Sequence, residues 1–323
     1  MLSGREAVER LILAEPRGFC AGVERAVEAV REALRAYGRP LYVRHQIVHN
    51  RFVLEKLEEE GAVFVESLDQ VPEGQRVIFS AHGVAPSEWD RAAHRNLSVI
   101  DATCPLVTKV HLEVRRYAEQ GCTTILIGHA GHEEVKGTLG VAPGKVLLVG
   151  SVFEAQNVEV PDPQRVAAVT QTTLSVDDTR EIMDKLKERF PALHTPKTDD
   201  ICYATQNRQN AVKELVAVAD AILVVGSKQS SNANRLVEVA RMKGVSAYLV
   251  DSLADVEPAM LHGVRALGLT ASASSPEWVV EEIVEAFARA GARVELLSVA
   301  RERVHFPLPQ PAGEERSSLT RQD

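Results

Sequence analysis

The sequence has few cysteines and few aromatic residues, and it lacks a long apolar segment. Its 323 residues include 4 cysteines and 5% aromatic residues. Four scattered cysteines are too few for a disulfide framework, so we expect free thiols or metal ligands in a reducing compartment. No apolar run approaches the roughly 18 residues of a membrane span, and the first residues lack the basic-then-apolar layout of a secretion signal. We therefore expect a cytoplasmic protein that does not contact a membrane.

The sequence also has fewer basic than acidic residues. The 37 Lys and Arg residues face 45 Asp and Glu residues, which gives a formal net charge of -8. A nucleic-acid binder needs a basic face to neutralise phosphates, so this balance argues against a nucleic-acid partner. The glycine-rich loops of nicotinamide enzymes and of nucleotide hydrolases are both missing. A diphosphate-sized ligand stays compatible with this composition because it needs only a few local donors.

The remaining composition is that of a globular protein, with 45% hydrophobic and 25% charged residues. Short β-branched runs alternate with helical stretches and are apolar on both faces, as in the central strands of parallel sheets. The predicted strands span residues 11–14, 77–79, 123–127, 166–170, 222–225 and 266–270. The predicted helices span residues 23–37, 105–120, 207–219 and 276–290. The predicted class is α/β with mostly parallel sheets.

Three cysteines occupy the same kind of position. Cys20, Cys104 and Cys202 end the segments EPRGFC, VIDATC and TDDIC, and each precedes a helical stretch. The intervals between them are each long enough for a small α/β unit. We predict three units, at residues 21–103, 104–200 and 201–299, with the strand at 11–19 joining the third unit and a disordered tail at 307–323.

Each predicted unit carries two polar turns where a strand should lead into a helix. In open α/β sheets, ligands bind at the carboxyl ends of the strands, so the six turns predict one shared pocket with pseudo-threefold symmetry. The turns are centred on His49, His82, His132, Thr172, Ser230 and Ser274.

The cysteines suggest a metal centre. A thiol at the start of a helix faces the positive end of the helix dipole, which lowers its pKa and favours the thiolate. Structural zinc sites usually contain locally paired cysteines, and this chain has no such pair. Three distant cysteines fit an iron-sulfur cluster that keeps one iron free for substrate. The alternative is that they pack as small apolar groups, which we expect for Cys122.

Polar residues in the turns suggest phosphate binding and proton transfer. Histidine can donate to phosphate oxygens or transfer protons near neutral pH, although isolated turn histidines, such as His94 and His262, are usually surface residues. The segment SKQSSNANRL begins a helix that could attract an anion, or it could simply be capped by Ser231 or Asn232. Glu134 could stay protonated beside a metal, or it could be a solvated glutamate at a helix start.

Eight segments, taken in order, resemble the IspH (LytB) family of 4-hydroxy-3-methylbut-2-enyl diphosphate reductases. The resemblance extends from about residue 11 to residue 306. The segments are PRGFCAGVERA, VRHQIVHNRFV, FSAHGV, DATCPLVTKVH, IGHAGHEEV, TQTTLSVDDT, DDICYATQNRQ and SKQSSNANRL.

The resemblance implies three α/β units around a central 4Fe-4S cluster held by Cys20, Cys104 and Cys202. It also implies the last step of the methylerythritol phosphate route to isoprenoids. In that step, two electrons and two protons convert (E)-4-hydroxy-3-methylbut-2-enyl diphosphate to isopentenyl diphosphate and dimethylallyl diphosphate, and the free iron binds the substrate oxygen. Because no flavin or nicotinamide motif occurs, ferredoxin or flavodoxin is the implied electron donor.

The same resemblance implies roles for the residues of the turns. Glu134 is the implied proton-delivering acid, with Thr172 and His132 beside it. The implied substrate-binding residues are His49, His82, His132, Thr172, Ser230, Ser231, Asn232 and Ser274.

Two positions depart from the usual family pattern. Ser272 stands where glycine is common and should tighten the loop that carries Ser274. Glu133 stands where proline is common and should add a second negative charge near Glu134. Two rival functions remain at this point, namely a zinc hydrolase without redox chemistry and a regulatory module that binds a diphosphate.

Overall fold

Residues 8–309 are described by a computed structural model, in which parallel strands alternate with helices. The strands are β1 (Arg10–Glu15), β2 (Leu41–Arg44), β3 (Ala62–Val65), β4 (Arg76–Phe79), β5 (Ser98–Asp101), β6 (Thr123–Ile127), β7 (Val146–Val149), β8 (Val166–Thr170), β9 (Ala221–Val225), β10 (Ser246–Val250), β11 (Ala266–Ala271) and β12 (Arg293–Ser298). The α-helices are α1 (Ala21–Tyr37), α2 (Arg51–Glu60), α3 (Pro86–His94), α4 (Pro105–Glu119), α5 (Glu133–Leu139), α6 (Val152–Asn157), α7 (Val176–Arg189), α8 (Tyr203–Val216), α9 (Ser231–Met242) and α10 (Glu277–Arg289).

Within residues 8–309 the strands form three separate sheets, and every strand pair there is parallel. The first sheet has the order β3-β2-β4-β5, and the second has the order β7-β6-β8. The third has the order β10-β9-β11-β1-β12, so β1, the first strand of the described residues, pairs with two strands that lie far along the chain. The predicted α/β class with mostly parallel sheets is confirmed, whereas the boundaries of the three units stay a prediction.

The central strands are apolar on both faces because helices cover both sides of each sheet. All five residues of β8 and all five residues of β9 are buried. Helix α1 shows the stripe predicted for it, with Ala26, Val30 and Ala33 each at most 4% exposed. Small residues in this stripe let the helix lie close to its sheet.

Sequence periodicity misplaced one helix and missed several strands. Helix α8 begins at Tyr203, directly after Cys202, and not at residue 207. Its first turn is polar and carries little apolar periodicity, which explains the error. Strands β2, β3, β5 and β7, which have only four residues each, and the five-residue strand β10 are not among the predicted strands. Strand β12 lies at a sheet edge and is mostly exposed.

The segment at residues 299–309, which we call the C-terminal strap, has no helix or strand. It begins at Val299, whose backbone N–H donates to the carbonyl of Glu15 at 2.9 Å. Residues 310–323 of the predicted tail lie outside the described residues. Among the helices of residues 8–309, none combines the length and apolar character needed to cross a bilayer.

Candidate active site

The six predicted turns converge on one cavity of about 110 Å³. Each turn connects the carboxyl end of a parallel strand to the next helix, where ligands bind in open α/β sheets. All twelve residues predicted from the sequence line this cavity, namely Cys20, His49, His82, Cys104, His132, Glu134, Thr172, Cys202, Ser230, Ser231, Asn232 and Ser274.

The three cavity cysteines occupy equivalent positions. Cys20, Cys104 and Cys202 are the N-cap residues of α1, α4 and α8, respectively, and all three are free thiols. A Cβ atom on Gly22 would lie 2.7 Å from the Cys104 sulfur and 3.9 Å from the Cys20 sulfur. A side chain at Gly22, the second residue of α1, would therefore fit only if the Cys104 thiol moved away. Cys122 is separate from this group and is buried in the core, at 4% exposure.

The protonation of the thiols differs from the sequence-based expectation. Burial raises the pKa of Cys104 to about 12, and the nearby Cys20 adds to this rise. Burial likewise raises the pKa of Cys202 to about 11, although two hydrogen bonds with Thr205 oppose the rise. The expectation that helix ends lower the pKa is wrong for these two thiols, because loss of water outweighs the helix dipole.

The arrangement of the cysteines bears on the kind of metal centre they could hold. Within residues 8–309, no three side chains of Cys, His, Asp or Glu are grouped so that they could hold a single metal ion. The three cysteines surround a shared cavity instead. A cluster of several irons is bound by one cysteine per iron, so its ligands lie around the cluster and not around one point.

Three histidines form a second wall of the cavity. The ring centroids of His49 and His82 lie 4.3 Å apart, and His132 lies 5.4 Å from His49. Burial lowers the pKa of all three, to about 4 for His132. The Nδ1 atom of His132 accepts from the backbone N–H of Glu134 at 3.2 Å, so a neutral ring carries its proton on Nε2. His132 can therefore donate one hydrogen bond while it remains uncharged.

Two of these polar residues have buried atoms without a partner among the described residues. They are Nε2 of His49 and both amide atoms of Asn232, a residue that is 4% exposed. Buried polar groups are rarely left unpaired, so orphaned atoms on a cavity wall indicate a polar ligand. His49 follows a strand of the first sheet and Asn232 follows a strand of the third, and both residues line the same cavity.

The start of α9 supplies a third group of polar residues. Ser230 caps the helix by accepting from the backbone N–H of Ala233 at 3.3 Å, so the alternative in which Ser231 or Asn232 is the cap is wrong. Ser231 instead accepts from the hydroxyl of Thr173 at 3.0 Å. The capping role of Ser230 leaves the next two side chains available to a ligand at the positive end of the helix dipole.

Glu134 and Thr172 form a buried pair. Glu134 is 3% exposed, so the alternative of a solvated glutamate is wrong. Its carboxyl group accepts from the backbone N–H of Thr172 at 2.6 Å and from the Thr172 hydroxyl at 3.0 Å. Burial raises the pKa of Glu134 to about 7, although both Thr172 bonds oppose this rise. The carboxyl group can therefore gain and lose a proton near neutral pH.

The two departures from the family pattern have different outcomes. Glu133 pairs with Lys136 at 2.7 Å and lies 3.1 Å from His45 Nε2, so the second negative charge expected near Glu134 has partners of its own. Ser272 is fully buried, and its hydroxyl lies 3.2 Å from that of Ser274. This contact ties the two hydroxyl groups of the loop together.

Sequence reasoning missed other residues around the cavity, among them Thr173, Phe306 and Arg208. Thr173 and Phe306 line it directly. Arg208 is completely buried in α8, where its guanidinium donates to the carbonyl of Gly18 at 2.7 Å and to Glu302 at 3.0 Å. A buried arginine could not be recognised, because its helix segment YATQNRQNAVKELV is mostly polar in sequence.

The family model described as "LytB protein" matches residues 11–288. The chain belongs to the LytB protein family. A 4-hydroxy-3-methylbut-2-enyl diphosphate reductase from Azoarcus sp. (strain BH72) is 55% identical over 307 residues, which cover 95% of this chain and 98% of the relative. The resemblance inferred from the eight sequence segments is thereby confirmed.

Solved structures agree with this LytB-family assignment. The structure of the E-1-hydroxy-2-methyl-but-2-enyl-4-diphosphate reductase from Plasmodium falciparum superposes with a TM-score of 0.91 at 41% identity, covering 93% of this chain and 96% of that one. A second structure is described as (E)-4-hydroxy-3-methyl-but-2-enyl diphosphate reductase, the terminal enzyme of the non-mevalonate pathway. It has a TM-score of 0.62 at 30% identity, covering 87% of this chain and 99% of that one.

Proposed function

We propose that this chain reduces (E)-4-hydroxy-3-methylbut-2-enyl diphosphate in the last step of the methylerythritol phosphate pathway. One substrate molecule, two electrons and two protons give one water and one molecule of isopentenyl diphosphate or dimethylallyl diphosphate. The names of the LytB-family relatives support this reaction. The observation that carries the proposal is that all twelve residues predicted for it line a single cavity.

The cofactor in this proposal is a 4Fe-4S cluster held by Cys20, Cys104 and Cys202. The residues fit such a group because three free thiols from distant parts of the chain line the same cavity. The elevated pKa values of Cys104 and Cys202 mean that loading would displace their protons, as is general for thiolate ligands. When bound, the cluster supplies single electrons and an iron with an open position for the substrate oxygen.

The diphosphate would lie against the histidines and the start of α9. His49 and Asn232 offer the buried atoms that have no partner, and Ser231 offers a hydroxyl at the positive end of the helix. A dianionic group would also favour protonation of the buried histidines, since a nearby negative charge raises the pKa of imidazole. These contacts would fix one end of the substrate, so that its hydroxyl end reaches the cysteine side of the cavity.

Proton delivery is the role we assign to Glu134. A carboxyl group whose pKa is about 7 is partly protonated at neutral pH, which suits a general acid. Thr172 orients this group through two hydrogen bonds, and His132 stands beside it with its Nδ1 bound to the Glu134 backbone. The buried acid would protonate the departing oxygen, which then leaves as water.

Electrons would come from an external one-electron donor, ferredoxin or flavodoxin. The absence of nicotinamide and nucleotide loop motifs from the sequence supports an external source. Four free cysteines support action in the cytoplasm, where thiols stay reduced.

The test of this function uses anaerobically purified full-length protein with a chemical reductant and the diphosphate substrate. We expect both product diphosphates, with one water released for every two electrons consumed. The zinc hydrolase alternative predicts colourless protein that releases phosphate without a reductant. The regulatory alternative predicts diphosphate binding with no turnover and no metal. Either of these results would contradict the proposed function.

A further inference from the structure

One side chain of the C-terminal strap (residues 299–309) reaches the cavity that the three cysteines line. Phe306 lines the cavity together with the three cysteines, and it is only partly buried. A molecule that docks on the outer face of the strap would approach the cysteines through Phe306.

The strap is held in place by buried charge. Arg208 has no exposed surface and binds Glu302 of the strap at 3.0 Å. The same guanidinium donates to the carbonyl of Gly18, just before the first cavity cysteine, at 2.7 Å, and to that of Ala204 at 2.9 Å. Asn207 donates a further hydrogen bond to Glu302 at 3.0 Å. Glu302 is the only carboxylate among residues 299–309, and it is turned inward and paired.

A second arginine fixes the far end of the strap. Arg25 donates to the carbonyl of Pro307 at 2.8 Å and to the carbonyl of Thr103 at 3.0 Å. Thr103 directly precedes the second cavity cysteine. The strap is thus tied to the segments that carry all three cysteines, and it forms a fixed surface.

The outer face of the strap is basic and apolar. Arg301 and Arg303 are exposed, and neither forms an ion pair with another described residue. Beside them, Val304 is 43% exposed and Leu308 is 44% exposed. Apolar contacts with a charged rim are typical of protein docking surfaces. This basic patch is unusual on a chain whose formal net charge is -8.

We propose that the outer face of the strap is the docking surface for a small acidic protein that carries single electrons. Arg301 and Arg303 would attract the acidic face of the donor, and Val304 and Leu308 would provide the apolar contact. This inference rests on the proposed function, because it assumes that electrons enter at the cysteine side. The substrate would lie inside the cavity and the donor on the outer face of the strap, so the two partners need not compete for space.

Each docking event transfers one electron. The reduced donor is oxidised by one electron, dissociates, and is replaced by a second reduced donor before one substrate molecule is converted. Long-range attraction between opposite charges speeds such encounters and weakens as salt is added. Turnover with a protein donor should therefore depend on ionic strength, whereas turnover with an uncharged chemical reductant should not.

The experiment compares the full-length double variant Arg301→Glu/Arg303→Glu with wild type. The probe is an acidic 2Fe-2S ferredoxin, with an acidic flavodoxin in a second arm. The control is Arg165→Glu/Arg180→Glu, which makes the same change of charge at side chains that are 64% and 65% exposed elsewhere. Binding of the ferredoxin to each protein is measured by calorimetry at several salt concentrations, and turnover is measured with each donor and with a chemical reductant.

We expect the strap variant to raise the KM for ferredoxin by about tenfold or more and to weaken its salt dependence. Its turnover with the chemical reductant should equal that of wild type, and the control should behave as wild type throughout. Unchanged ferredoxin binding and KM in the strap variant would overturn the docking proposal. Loss of turnover with the chemical reductant in wild type would instead overturn the proposed function, so the two failures can be told apart.

Discussion

Replacing Thr172 by valine should shift the pH dependence of the reaction. The Thr172 hydroxyl donates to the Glu134 carboxyl at 3.0 Å, and this bond opposes the effect of burial on the pKa. Valine has a similar shape but cannot donate, and its backbone N–H keeps the second bond. A hydrogen bond to a charged group contributes about 1.5–3 kcal/mol, and one pKa unit corresponds to about 1.4 kcal/mol. The pKa of Glu134 should therefore rise by about one to two units from its value of about 7.

The sign of the effect follows from the role assigned to Glu134. A general acid must be protonated, so activity falls as the pH rises through its pKa. In Thr172→Val, the alkaline fall in kcat should therefore move to higher pH by about one unit or more. The maximal kcat can also change, because Thr172 lines the cavity. The test therefore uses the pH at which kcat falls and not the maximal value of kcat.

The assay measures kcat between mildly acidic and mildly alkaline pH with a chemical reductant. Thr173→Val is the matched control, because Thr173 lies in the same turn but donates to Ser231 and not to Glu134. Its alkaline fall should coincide with that of wild type. An unshifted fall in Thr172→Val, or equal shifts in both variants, would refute the proposed role of Glu134.

Three further variants test separate parts of the account. Cys104→Ser should abolish the visible iron-sulfur absorption of anaerobic protein, whereas Cys122→Ser should keep it; equal spectra would contradict the ligand assignment. Glu134→Gln should keep that absorption and lose nearly all turnover, and normal turnover would argue against a proton role. Arg208→Met should lower the free energy of unfolding in urea by about 3 kcal/mol, because it leaves Glu302 without its buried partner; a loss below about 1 kcal/mol would show that the pair is not structural.

The arrangement of the site could be predicted from the sequence because ligands in parallel α/β sheets bind at a defined place, the carboxyl ends of the strands. A buried apolar strand followed by a polar turn and a helix places that turn at the carboxyl edge of a sheet. The turns around His49, Thr172 and Ser230 all follow this pattern, and they meet at one cavity. The positions of Cys20 and Cys104 as N-cap residues follow from the helices that begin directly after them.

Other features depend on contacts between distant segments, which local patterns do not encode. Arg208 lies in a mostly polar stretch of sequence, and only the tertiary fold buries it between Gly18 and Glu302. Burial raises the pKa of Cys104 and outweighs the effect of the helix dipole. The position of Cys104 at a helix start can be read from the sequence, but its burial cannot. Glu133 stands next to Glu134 in sequence but forms its ion pairs elsewhere, because neighbouring helix residues point in different directions.

The central claim is that three cysteines hold one iron-sulfur cluster with an iron that no side chain binds. Iron and sulfide analysis combined with Mössbauer spectroscopy of anaerobic full-length protein tests it most directly. We predict about four irons and four sulfides per chain, with one iron whose signal changes when the diphosphate substrate is added. Stoichiometric zinc, or full activity in protein that contains no iron, would contradict the claim.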